Sequence, residues 1–212
     1  MIKVVHAAVA SGSEPYSVDL DHKSLRSSDI CSLVTQGVLW KGIVQLNLHQ
    51  NRIGDDAQGI RCLCDLILAH KTLVKLVLSS NQLSDSHLNC ISECLSQNPR
   101  LKSINLSRNE ISDTGGSYIM DSLDSNENIE WIELSNNHLS PIRLHEIEDK
   151  LISRFLNPPE PCVTQTQSRK YTDLKDALKS KVAHLRYQLA WKQTRTDLQL
   201  RTLYRYVYEC IL

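Results

Sequence analysis

The chain has 212 residues, 41% of them hydrophobic, and its 24 Lys and Arg are balanced by 24 Asp and Glu. That length holds one elongated domain with an appendage, or two small domains. The hydrophobic share supports a core but not a membrane-embedded protein, and no apolar run reaches the ~18 residues that a spanning helix needs.

Residues 1–15 carry Gly12 and Pro15 and little pattern, and are expected to form an N-terminal lead or cap. Lys3 precedes a few small apolar residues, but His6 interrupts them, so the stretch falls short of a secretory hydrophobic region. From residue 43 onward one pattern is written four times. It reads Ile43-x-x-Leu46-x-Leu48-x-x-Asn51-x-Ile53, then Leu73, Leu76, Leu78, Asn81 and Leu83 at the same offsets. It returns as Leu101, Ile104, Leu106, Asn109 and Ile111, and as Ile129, Ile132, Leu134, Asn137 and Leu139. The steps between copies are 30, 28 and 28 residues. Apolar residues at positions 1, 4 and 6 with Asn at 9, repeated at this period, are the signature of a leucine-rich repeat. One step upstream, Val18, Leu20 and Leu25 keep the apolar positions while Lys23 takes the Asn position. This reads as a degenerate capping repeat.

The motif has a physical logic. Alternate side chains of a strand face opposite sides, so positions 4 and 6 enter a core while 3, 5 and 7 face out. The position-9 amide both donates and accepts, and stacked amides can satisfy backbone groups where the chain leaves the strand. A helix must then carry the chain back to a parallel start. Ser27-Ser28-Asp29 opens one bearing Ile30, Leu33, Val34 and Val38 up to Trp40. Asp55-Asp56 opens a second with Ile60, Leu63 and Ile67, and Ser84-Asp85 a third with Leu88, Ile91 and Leu95, closed by Asn98-Pro99. Ser112-Asp113 precedes a fourth with Ile119 and Leu123. Ser140-Pro141 starts a fifth with Leu144, Ile147, Leu151 and Phe155.

Repeats of this length with full helices resemble the ribonuclease-inhibitor class of leucine-rich-repeat proteins over residues 16–156. The resemblance implies an α/β solenoid, a horseshoe with a parallel sheet inside and helices outside, that binds partners on its concave face. The domain so expected is a capping repeat plus four full repeats. Residues 157–171, opening Asn157-Pro158-Pro159-Glu160-Pro161, read as a Pro-rich linker. Residues 172–212 contain neither Pro nor Gly. Leu174, Leu178, Val182, Leu185 and Leu189, then Leu200, Leu203, Val207 and Ile211, recur at spacings of three and four. This predicts a long basic amphipathic helix, on the order of 55–60 Å. Residues 169–212 hold ten Lys or Arg and four Asp or Glu, a net of +6, so the other 168 residues carry −6.

Outward strand positions nominate Asp19, Asp21, Gln45, Asn47, His49, Lys75, Val77, Asn105, Trp131 and Glu133 as partner-binding residues, with Ser79, Ser103, Ser107 and Ser135 between them. Trp131 leads, because an exposed Trp is a frequent hot spot. On the tail, Lys179, Arg186, Trp191, Lys192, Arg195, Arg201 and Arg205 are the predicted anchoring residues. The tail's apolar stripe suits a coiled-coil partner or a cap on the last repeat, and its basic face suits an acidic surface. Tyr187, Tyr204, Tyr206 and Tyr208 among those charges would also fit nucleic acid, the less favoured partner.

No catalytic, cofactor or metal constellation emerges. The eight histidines show no H-x-x-x-H spacing, and His49, His70, His87, His138 and His145 read as solvated. Gly115-Gly116 lacks the Lys-Ser/Thr of a phosphate loop. Of seven cysteines, Cys31, Cys62, Cys64, Cys90 and Cys94 fall in predicted helices and read as reduced core thiols of an intracellular chain. A zinc set from Cys62-x-Cys64 and Cys90-x-x-x-Cys94 lacks paired C-x-x-C spacing. Asn105-Leu106-Ser107 is a formal glycosylation sequon placed in a strand. The expected function is therefore a cytoplasmic, non-enzymatic adaptor that uses the concave face and the tail for two protein partners. A repeat block with a helical tail resembles scaffold proteins of cilia, centrosomes and microtubules. The repeats are also similar to those of the Ran GTPase-activating family, which directs attention to Arg52 and Arg108. A third resemblance is to tropomodulin, an actin filament-end cap.

Overall fold

The structure is a computed structural model and describes residues 16–35 and 42–156. The chain divides into two compact units, Met1–Phe155 and Leu156–Leu212, and the architecture below is that of the first. The predicted linker 157–171, the helix 172–212 and the lead 1–15 lie outside the described residues, as do Val38 and Trp40.

Five short strands, β1 (Tyr16–Asp19), β2 (Ile43–Asn47), β3 (Lys75–Val77), β4 (Ser103–Asn105) and β5 (Trp131–Glu133), form one parallel sheet in chain order. Each is followed by a helix: α1 (Ser27–Thr35), α2 (Ala57–Ala69), α3 (Asp85–Gln97), α4 (Asp113–Ser125) and α5 (Pro141–Leu156). Register follows the repeat, with Leu46 opposite Leu76, Leu76 opposite Ile104 and Ile104 opposite Ile132. Leu48, Leu78, Leu106 and Leu134 are all buried, as the repeat requires. The degenerate first copy pairs Val18 with Leu46, and its Val18, Leu20 and Leu25 are buried. It still forms a strand without its Asn because Asn51 of the next repeat donates to the Leu20 carbonyl and accepts from the Leu25 N–H.

The amide ladder runs as the motif dictates. Asn109 Nδ2 donates to the carbonyls of Leu78 and Leu106, while its Oδ1 accepts from the N–H groups of Asn81 and Leu83. Asn137 repeats this one turn on, serving Leu106, Leu134, Asn109 and Ile111. The ladder breaks once. Asn81 Nδ2 bonds Leu48 O and Ser79 O, but its buried Oδ1 has no protein partner. The break coincides with the 30-residue step, where a short 3-10 turn at Ile53–Asp55 brings Gly54 N to within 3.0 Å of Asn81 O. A second amide ladder lies at the helix-to-strand return. Asn98 Nδ2 reaches Ile67 O, and Asn126 Nδ2 reaches Leu95 O and Asn98 O. Asn98 thus does more than stop the helix, and the 28-residue interval between these two asparagines is the signal in the sequence.

Helix starts are capped by the residues expected. Asp56 accepts from Gly59 N, and Ser140 from Arg143 N. At α3 the Ser84 N–H donates to His87 Nδ1, so an imidazole fills the role a Glu or Gln plays in a capping box. His87 is thus half-buried and structural rather than solvated. Burial holds its pKa below the ordinary value of 6.5, against an upward pull from Glu110. An unfolded chain therefore takes up this proton first as pH falls, and the stability that neutral His87 contributes, complete above about pH 6.5, is lost as pH falls toward the folded value. His87→Gln keeps an acceptor and removes the titration. Urea melts at about pH 7.5 and about pH 5 are expected to show a larger loss in wild type than in the variant; equal losses would contradict the assignment.

The cysteine expectation needs correction. Cys31 on α1 and Cys62 on α2 form a disulfide, because helices of successive repeats stack side by side and set their Cα atoms 5.1 Å apart. Their separation of 31 residues is close to one repeat but does not equal the 28-residue step between these two turns, so the pairing is visible only from the stacked helices. The argument from reduced thiols to an intracellular chain thereby loses its premise, and the zinc set loses Cys62. Cys64 and Cys94 remain buried free thiols, while Cys90 is exposed rather than in the core. A hydrogen bond with Cys94, together with burial, pushes the Cys64 thiol far up and keeps it unreactive.

Candidate protein-binding face

The helices cover one face of the sheet, and the other carries positions 3, 5 and 7 of every repeat. In-register pairing lines these up in three rows. Position 3 presents Ser17, Gln45, Lys75, Ser103 and Trp131, and position 5 presents Asp19, Asn47, Val77, Asn105 and Glu133. Position 7 brings Asp21, His49, Ser79, Ser107 and Ser135. Asp19, Gln45 and Lys75 are exposed, whereas Asp21, Asn47, His49, Val77, Asn105, Trp131 and Glu133 are half-buried. All ten predicted face residues therefore share the expected side of the sheet.

Many of them are already engaged with their own chain. Asp19, Asn47, Asn105 and Glu133 each accept a hydrogen bond from the backbone N–H two residues on, at Asp21, His49, Ser107 and Ser135. These bonds hold the position-5 side chains flat along the strand ends. Val77 cannot take that part, which places one apolar side chain in the middle of a polar row. Asn47 Nδ2 adds a lateral bond to Asp19 Oδ1 at 3.0 Å. Lys102 and Glu130, at position 2 of adjacent repeats, pair at 2.8 Å across exposed surface, a contact of small energetic weight.

The N-terminal end of the face holds an assembly that spacing along the chain does not reveal. The N–H of His22 donates to the His49 carbonyl at 3.1 Å. The two imidazoles lie edge to face with centroids 5.3 Å apart. Asp21 Oδ1 lies 2.5 Å from His22 Nδ1, and Ser79 Oγ lies 2.6 Å from His49 Nδ1. His49 is accordingly not a solvated histidine. His22 sits at position 8, where every repeat has a positive φ: His22 53°, Gln50 50°, Ser80 56°, Arg108 55° and Asn136 57°. The repeated turn aims His22 back toward the position-7 row.

Arg52 and Arg108 are both exposed, but they occupy positions 10 and 8 of their turns and are not equivalent. Lys179, Arg186, Trp191, Lys192, Arg195, Arg201 and Arg205 lie outside the described residues. Among the described residues no helix is long and apolar enough to cross a membrane.

Comparison with known proteins gives the following similarities. A sequence model described as a leucine-rich repeat matches residues 97–120, from the end of α3 through β4 into α4. The matched segment is one leucine-rich repeat, and the turns beside it follow the same pattern. A search of curated proteins finds no match. Among solved structures, these repeats are similar to actin-binding site 2 of leiomodin-1, at 14% identity and a TM-score of 0.49, covering 76% of this chain and 96% of that one. They are also similar to the tropomodulin C-terminal domain of Caenorhabditis elegans, at 11% identity and a TM-score of 0.43, covering 88% and 98%. An internalin from Listeria monocytogenes matches at 17% identity and a TM-score of 0.34, covering 69% of this chain and 48% of that one.

Proposed function

We propose that the chain is a non-catalytic protein-binding scaffold that grips a partner on the helix-free face of its sheet. The observation that carries this reading is the fixing of the position-5 row by hydrogen bonds to the following turns. Side chains already held in one orientation lose little freedom when a partner docks, which is the main cost an interface must overcome. Val77 and Trp131 supply apolar contact within an otherwise polar surface, and Lys75 supplies an exposed cation beside Val77 on β3. The basic segment 172–212 is the second arm, anchoring the scaffold to an acidic surface of a larger assembly. Its net charge and the architecture favour a cytoskeletal or ciliary assembly, with a microtubule-like lattice as the surface.

Crosslinking mass spectrometry in cells tests the first arm. Partner crosslinks should fall on Lys75 rather than on the helix-side Lys150, and Trp131→Ala with Lys75→Glu should reduce partner recovery by about tenfold or more. Crosslinks confined to the helix side would end the reading. For the second arm, charge reversal at Lys179, Arg186 and Lys192 in the full chain should abolish co-sedimentation with microtubules at low salt. Unchanged sedimentation would remove the anchor.

A further inference from the structure

We propose that Asp21, His22 and His49 form a binding site for a divalent transition cation of the zinc class at the N-terminal edge of the sheet's open face. The three residues each offer one ligand atom, and these atoms all lie within 4.8 Å of one another. Two imidazole nitrogens and one carboxylate oxygen are a ligand set that Zn2+, Co2+ and Ni2+ favour over the all-oxygen shells of Mg2+ or Ca2+. Zinc bonds of about 2.0–2.2 Å put tetrahedral ligands roughly 3.4 Å apart, so small side-chain rotations close the site without moving the backbone.

Three features beyond proximity support it. The backbone is already set: His22 N–H is tied to His49 O, and Asp21 N–H to Asp19 Oδ1. His49 has an orienting partner in Ser79 Oγ at Nδ1, which leaves Nε2 to bind metal, the arrangement that metal-ligating histidines use. Asp21 Oδ1 is buried, and its close polar neighbour is His22 Nδ1 at 2.5 Å. A carboxylate oxygen and an imidazole nitrogen brought this close, beside a second imidazole, are placed to share one cation. Three protein ligands leave a fourth position for water or a group from a docked partner. The site does not depend on the scaffold reading; it would exist whatever the face binds.

The test is calorimetric titration of the full chain with Zn2+, paired with Co2+ absorption and imidazole-nitrogen NMR. One equivalent should bind, His22→Gln and His49→Gln should each weaken binding by about tenfold or more, and both imidazole resonances should shift. The Co2+ spectrum should lack a sulfur-to-cobalt charge-transfer band. Affinity unchanged in both variants overturns the proposal, as does a sulfur band that assigns the ion to Cys64, Cys90 and Cys94. If the variants do not fold, the wild-type NMR decides, and unmoved His22 and His49 signals refute the site.

Discussion

Asn109→Ala is expected to destabilise the repeat domain by about 4 kcal/mol, more than the same change at Asn81 or Asn137. The side chain is buried and bonds both flanking turns, donating to Leu78 O and Leu106 O and accepting from Asn81 N and Leu83 N. Alanine leaves those backbone groups without partners in a site closed to solvent, at a cost of about 1–3 kcal/mol each before relaxation. Asn81→Ala should cost less, because Asn81 Oδ1 accepts nothing from the protein. Asn137→Ala should also cost less, because Asn137 is only half-buried and water can replace it. Urea denaturation of the three variants gives the ranking. If Asn81→Ala proves as damaging as Asn109→Ala, the account of the ladder is wrong.

Gly54→Ala is expected to cost about 3 kcal/mol or more by overpacking. A Cβ at residue 54 would lie 2.3 Å from Gln82 O and 2.8 Å from Asn81 O, both main-chain atoms of the next turn. No rotamer change relieves such a clash; the two turns have to part, and the bond from Gly54 N to Asn81 O goes with them. Gly115→Ala is the control. There the close neighbours are side-chain atoms, Asp85 Oδ1 at 2.5 Å and Ile111 Cγ2 at 2.7 Å, so the backbone turns need not part and the cost is the shift of Asp85 against its bonds from Ser112, about 1–2 kcal/mol. Thermal melts of equal depression for both variants would show that space at Gly54 is not the constraint.

The fold was legible because its determinants are periodic. Leu48, Leu78, Leu106 and Leu134 announce an interior column, Asn51 through Asn137 announce the turns, and Asp56, Ser84, Ser112 and Ser140 announce the helix starts. Each signal lies within a dozen residues of the structure it specifies. What was missed is of the other kind, contact between residues one whole repeat apart. Cys31 meets Cys62, Asn98 meets Asn126, and His22 meets His49 at separations of 31, 28 and 27 residues. None of these pairs has a local spacing that betrays it. Adding one step of 28 residues gives Asn126 from Asn98, but Cys62 lies three residues past that step from Cys31 and His49 one short of it from His22, so only the stacked turns bring those two pairs together. His87 escaped for a different reason: an imidazole seldom stands at the third position of a capping box, so its role became visible only from the bond to Ser84 N.

The interrupted rung at Asn81 divides the solenoid unequally. On its N-terminal side two turns are riveted together by Cys31–Cys62, and on its other side three turns are zipped by unbroken amides through Asn109 and Asn137. In a molecule where each turn touches only its neighbours, cooperativity fails first at the weakest joint. The 30-residue step is thus a fault line, along which a covalently clasped vestibule can loosen from the trunk while both keep their shape.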